Sequence, residues 1–221
     1  MDPNRKQWNE RHQKLNRAFA SGDRDTAIEL FLQQHAMAHS TKMAKTGLPS
    51  IEDKILDGLT DNQIKKMIGE HSIAWILLHL ARIEDITINM LVAGTEQLFT
   101  KAGWGKKMNV GIVHSANKMT DASVAELSAK IDVKALKAYR IAVGRQTRKI
   151  IQKLNAEDFK KKVDPVRIQK VSGEGAVIPD AIEIINYWSS KTIAGLLLMP
   201  PTRHCILHLN EAEKIKKKLI R

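Results

Sequence analysis

An all-α fold, specifically a helical bundle, is what this sequence predicts, and three observations carry it. Apolar residues recur at helical spacing over four long stretches, about 24–45, 70–93, 132–155 and 201–220. No alternating β-branched run is flanked by hairpin turn residues. The hydrophobic fraction is 43% over 221 residues, enough for a sizeable core and against wholesale disorder.

The elements follow in order. Residues 5–20 suit a polar N-terminal helix that ends at Ser21-Gly22-Asp23. From Asp25, Ile28, Leu32, His35 and His39 fall on one face of a helix that Gly47-Leu48-Pro49-Ser50 breaks. A short helix fits Ile51–Leu56, ending near Gly58, and Thr60-Asp61 can open another turn. The 70–92 stretch is apolar over more than half its circumference and is placed at the centre. Gly94 and Gly103-Trp104-Gly105 mark loops, 106–120 a connector, and Asp121–Lys130 a short helix. Asp132 is a good N-cap for a helix to about Leu154. Turns are expected around Asp164-Pro165 and Ser172–Gly175, then a helix from Asp180 to about Gly195. Met199-Pro200-Pro201-Thr202 should stop that helix, with Pro201 in the first turn of a last one reaching Ile220.

Composition narrows the function. A single cysteine, Cys205, excludes a disulfide framework and a cysteine-rich zinc site, and suits an inert buried thiol. The start has no apolar secretory core and no run reaches the length of a membrane span, so a cytoplasmic chain without membrane contact is expected. The net charge of +12 is scattered over helix faces, and no aromatic residue is interleaved with the lysine clusters. Nucleic acid is therefore an unfavoured partner. Glycine-rich phosphate loops and the Gly-x-Ser-x-Gly elbow are absent from the sequence.

Histidine is what remains. Two pairs, His35/His39 and His204/His208, have i, i+4 spacing, which sets both imidazoles of a pair on one helix face within reach of one ion. His204/His208 lies among Ile206, Leu207 and Leu209, and His79 sits inside Trp75-Ile76-Leu77-Leu78-His79-Leu80-Ala81. A buried imidazole needs a partner, and a hydrogen-bonded core histidine is the ordinary alternative to a ligand at each position.

Read together, His71-Ser72-Ile73-Ala74-Trp75-Ile76-Leu77-Leu78-His79-Leu80-Ala81-Arg82-Ile83-Glu84-Asp85 and Thr202-Arg203-His204-Cys205-Ile206-Leu207-His208-Leu209-Asn210-Glu211 resemble the second-helix and last-helix signatures of the DinB/YfiT-like superfamily. The resemblance covers roughly residues 24–215. It implies an up-down-down-up four-helix bundle with additional N-terminal and inserted short helices. The extension is 1–23, the bundle domain 24–221, and the long insertion lies around 94–130. It implies a three-histidine metal site at His79, His204 and His208, with Glu84 as the favoured acidic residue for catalysis. Glu84, Asp85 and Glu211 are the carboxylates near enough in sequence to orient an imidazole or act as a base, against the plainer reading of helix charges paired with Arg82 or Arg203. His35 and His39 either line the same cavity or pack in the core.

Three protein ligands leave a position for water or substrate. Imidazole ligands suit zinc, nickel, iron and copper; zinc is the default, with nickel, iron or manganese open. The expected activity is divalent-metal-dependent, hydrolytic or a thiol S-transfer, with a small-molecule substrate and a low-molecular-weight thiol as candidate cosubstrate. The competing class is a non-catalytic bundle that binds or scaffolds. Nothing in the sequence fixes an oligomeric state, and a homodimer through a bundle face stays open.

Overall fold

A computed structural model describes residues 3–48 and 50–220, and within them the fold is helical, with two isolated β-bridges and no strand. Four helical columns form the frame. They are α2 (Arg24–Ala38), α5 (Ile73–Asp85) with a π-helical continuation over Ile86–Ala93, α9 (Val133–Ile151), and a last column over residues 193–219. The N-terminal helix α1 (Pro3–Ser21) packs along α2. The small helices are α3 (Ile51–Leu56), α4 (Asp61–Lys65), α6 (Leu98–Lys101), α7 (Trp104–Met108), α8 (Asp121–Lys130), α10 (Ala156–Lys160), α11 (Pro165–Gly173) and α12 (Ile182–Ser189).

Two apolar cores fill the bundle, one around Phe31, Ile86, Ile151 and Leu197, the other around Ala38, Ile76, Leu136 and Leu209. The columns cross between them at mid-height. α2 goes from Phe31 in the first core to Ala38 in the second, and the last column from Leu197 to Cys205. α5 and α9 return, from Ala81 to Ile83 and from Val143 to Ile150. At the crossing level the buried residues are polar: His35, Glu84, Thr147 and Thr202.

Capping chemistry explains the elements that begin where expected. Asp132 Oδ1 accepts from the Ala135 amide at 2.7 Å, and Thr120 caps α8 through the Ser123 amide. Elsewhere tertiary structure overrides the pattern. α2 ends at Ala38 rather than near residue 45, because His39 turns to extended backbone and the Ala38 carbonyl accepts from Arg140 Nη2 at 3.0 Å. The turns expected after Leu154 include α10 and α11, the latter with Pro165 at its first turn and an Asp164 cap. The helix expected over 180–195 is broken at Ser190–Thr192. There Val163 and Ile193 amides bond to the Lys191 and Lys161 carbonyls, and Thr192 caps α13 (Ile193–Leu198).

The prolines do not stop the last column. α13 runs through a π turn, Met199–His204, into α14 (Cys205–Leu219). A π turn widens the helix, so two rings without N–H groups fit inside it, and the Thr202 hydroxyl takes up the Leu197 carbonyl at 3.1 Å. No described helix is long and apolar enough to cross a membrane.

Candidate metal centre

His79 faces inward from the middle of α5 and is 1% exposed. His204 ends the π turn and His208 follows one α-helical turn later, so both reach the same side of the last column, which packs on α5. One ligand nitrogen from each of the three rings lies within 4.8 Å of the other two. His79 Nε2 and His204 Nε2 are 3.2 Å apart.

The outer nitrogens decide where the lone pairs point. His79 Nδ1–H donates to the Ser115 carbonyl at 2.7 Å, which leaves Nε2 as the ring's free donor atom. His208 Nδ1–H donates to Glu211 Oε2 at 3.0 Å, again freeing Nε2. Glu211 is held from its other oxygen by His71 Nδ1–H at 2.6 Å. His204 Nδ1 is buried without a partner. Trp75 stacks on His71 with centroids 3.9 Å apart and on His79 at 5.0 Å, fixing both ring planes.

Burial keeps His79 and His204 neutral. Burial, aided by the charge of His208, pushes His79 down to about 3. Burial first, then His79 and His208, puts His204 well below its ordinary value. The hydrogen bond from His208, against burial, holds the Glu211 carboxyl down at about 2, so it stays a carboxylate. Neutral rings with converging nitrogens, two of them oriented by a carbonyl or carboxylate behind, are the requirements of a divalent cation.

The match to a sequence model of the DinB superfamily spans residues 53–212, most of α3 through α14. The chain belongs to the DinB superfamily. Compared with proteins of curated function, it finds no match.

This DinB-superfamily chain brings together His79, His204 and His208 but not Glu84. Glu84 is five residues beyond His79, about 140° further round the helix, and is fully buried among His35, His39 and Thr147. The acid in contact with a triad histidine is Glu211, behind His208 at its Nδ1. His35 and His39 make a separate group with Glu84 instead of lining the triad. Asp85 also works elsewhere. Its carboxylate accepts from Tyr139 and from the Leu98 and Phe99 amides, while Arg82 bonds the Val113 carbonyl at 2.6 Å and Gln97. These two residues pin the 94–120 insertion onto α5. Cys205 is buried, and burial pushes its thiol up to about 12, so it is inert as expected of it.

Sequence reasoning missed the Ser115 carbonyl, a backbone atom whose aim depends on a turn. Ala116 beside it has φ 65, a left-handed conformation that costs a side-chain-bearing residue about 1 kcal/mol. The Ser115 amide is fixed in turn by the Ala176 carbonyl at 2.9 Å. The insertion thus completes the surroundings of His79. Next to His204 opens a mainly apolar pocket of about 420 Å³, bounded by Ile83, Ile184, Tyr187, Trp188 and Pro200, with Asn117 and Glu183 as its polar members.

Proposed function

We propose that this chain is a metal-dependent enzyme in which His79, His204 and His208 hold one divalent cation, zinc by default, at an open site. The observation that carries the reading is the pair of oriented rings. The Ser115 carbonyl and Glu211 occupy the outer nitrogens of His79 and His208, so their remaining nitrogens face the centre that His204 also faces. Nickel, iron and manganese are chemically compatible with the same donors. When bound, such an ion supplies Lewis acidity to a water or a low-molecular-weight thiol in the position the protein leaves free.

The residues themselves define the rest. Imidazole ligands bring no charge to offset the cation, so its Lewis acidity is retained. Glu211 orients His208 and is itself oriented by His71. The mainly apolar pocket beside His204 gives access to the centre and suits a small substrate with an apolar body. Hydrolysis and thiol S-transfer are the two reaction types this arrangement supports. In both, the electrophile would lie over Trp188 and Ile184 with its reacting atom toward His204.

Metal analysis of untagged protein tests the site. One readily chelated equivalent of metal is expected at this site, lost in His208→Ala with helicity retained by circular dichroism. No retention of zinc, nickel, iron or manganese after reconstitution would reject the reading. Screening small electrophiles with and without thiol then separates the chemistries, since turnover that needs no thiol excludes the transferase form.

A further inference from the structure

The polar layer between the two cores contains a second set of donor atoms. His35 Nε2 lies 2.9 Å from Glu84 Oε1, and His39 Nε2 lies 2.9 Å from Glu84 Oε2. Thr147 Oγ1 donates to Oε1 at 2.6 Å and fixes the carboxylate plane. All four side chains are buried, and the Nδ1 atoms of both rings have no partner. His35 is in the last turn of α2, His39 is its C-cap, Glu84 is on α5 and Thr147 on α9, so the set joins three columns.

The donor atoms converge on one point. A nitrogen of each ring and an oxygen of Glu84 lie within 4.8 Å of one another. The nearby guanidinium of Arg140 is engaged by Glu52 in a buried ion pair and makes no hydrogen bond to Glu84. A buried carboxyl group flanked by two imidazoles is a donor set that a cation would complete.

We infer that His35, His39 and Glu84 form a second metal site, enclosed and separate from the triad, that takes a divalent first-row cation. Two imidazoles and a carboxylate suit zinc, iron(II) or manganese. The carboxylate offsets half of the cation's charge, which makes this centre a weaker Lewis acid than three neutral rings would. With no donor side chain at the surface, exchange requires local opening of the bundle, so the ion should be slow to leave. Its role is to fasten α2, α5 and α9 at mid-height.

The test is a metal count on the full untagged chain produced in zinc-supplemented medium. Two equivalents are expected, one removed rapidly by a chelator and one at least a hundredfold more slowly. The double variant His204→Ala/His208→Ala should keep only the slow equivalent, and Glu84→Gln only the fast one. A wild-type chain holding a single equivalent that His204→Ala/His208→Ala abolishes overturns the inference, and this reading needs no Glu84 variant to fold. A slow equivalent that survives in Glu84→Gln overturns it as well. A chain retaining the slow equivalent alone supports this second site while rejecting the triad.

Discussion

Glu211 acts on the triad without being part of it. Its two oxygens bridge His208 and His71, so one carboxylate sets the tautomer of His208 and is braced by a ring stacked on Trp75. Outer-sphere partners of this kind are worth about 10–100-fold in metal affinity. Glu211→Gln keeps an acceptor but loses the charge, and should weaken zinc binding about tenfold by competition with a chromophoric chelator, near the low end of that range. Glu211→Ala removes both and should approach the hundredfold end. Unchanged affinity in Glu211→Ala would mean that His208 is oriented by something else. Because the carboxyl is held at about 2, Glu211 remains ionised through the neutral range, and a pH dependence of binding there has to come from the imidazoles.

At the scale of the element, α9 and the end of α2 meet at Gly144. A Cβ built there would lie 2.9 Å from Met43 Cγ and 3.0 Å from His39 Nδ1. Glycine inside a helix is normally a weakness, and alanine would gain about 0.5–1 kcal/mol from the backbone alone. Here His39 is held by Glu84 and cannot retreat, so overpacking of about 1–3 kcal/mol should win. Gly144→Ala is expected to lower the urea midpoint, with an unchanged denaturant slope. A raised midpoint would show that the His39 ring is free to move. The same contact explains what the sequence conceals. Local signals such as the Asp132 and Thr120 caps mark helix starts faithfully, since a cap is made by neighbours in the chain. The early end of α2 and the passage of the last column through Pro200-Pro201 depend on Arg140 and on a π turn, partners that spacing does not reveal. In the candidate site, helical spacing pairs His204 with His208, whereas His79, on another helix, is joined to them in the sequence only by the family resemblance. Glu84 misleads because five residues of helix separate it from His79 in direction as well as in sequence.

Across the whole molecule, several histidines sit largely buried in or beside the polar layer, and that burial governs how the bundle responds to acid. His39 and His79 are pushed down to about 3 from an ordinary 6.5, and His204 is lowered well below it, in each case chiefly by burial. A group whose native pKa lies below its unfolded value binds its proton in the unfolded chain first. Its contribution is fully present above 6.5 and is lost as the pH falls toward the native value. Each such proton changes the unfolding free energy by about 1.4 kcal/mol per pH unit. Three histidines together give a limiting slope of roughly 4 kcal/mol per unit below pH 6. Glu84, also lowered, adds a loss of the same sign only in the more acidic carboxylate range, whereas Glu52, raised by burial, works against it. The metal-free chain should therefore be nearly constant in stability from pH 8 to 7 and lose it steeply between 6 and 5, measured by urea unfolding at each pH. Saturating zinc should shift the loss to lower pH, because protons must then displace a bound ion before the native state gives way. A metal-free chain whose unfolding midpoint is flat from pH 7 to 5 would mean that these imidazoles are solvated or already charged, and the inward-facing donor sets proposed for both metal sites would fall with it.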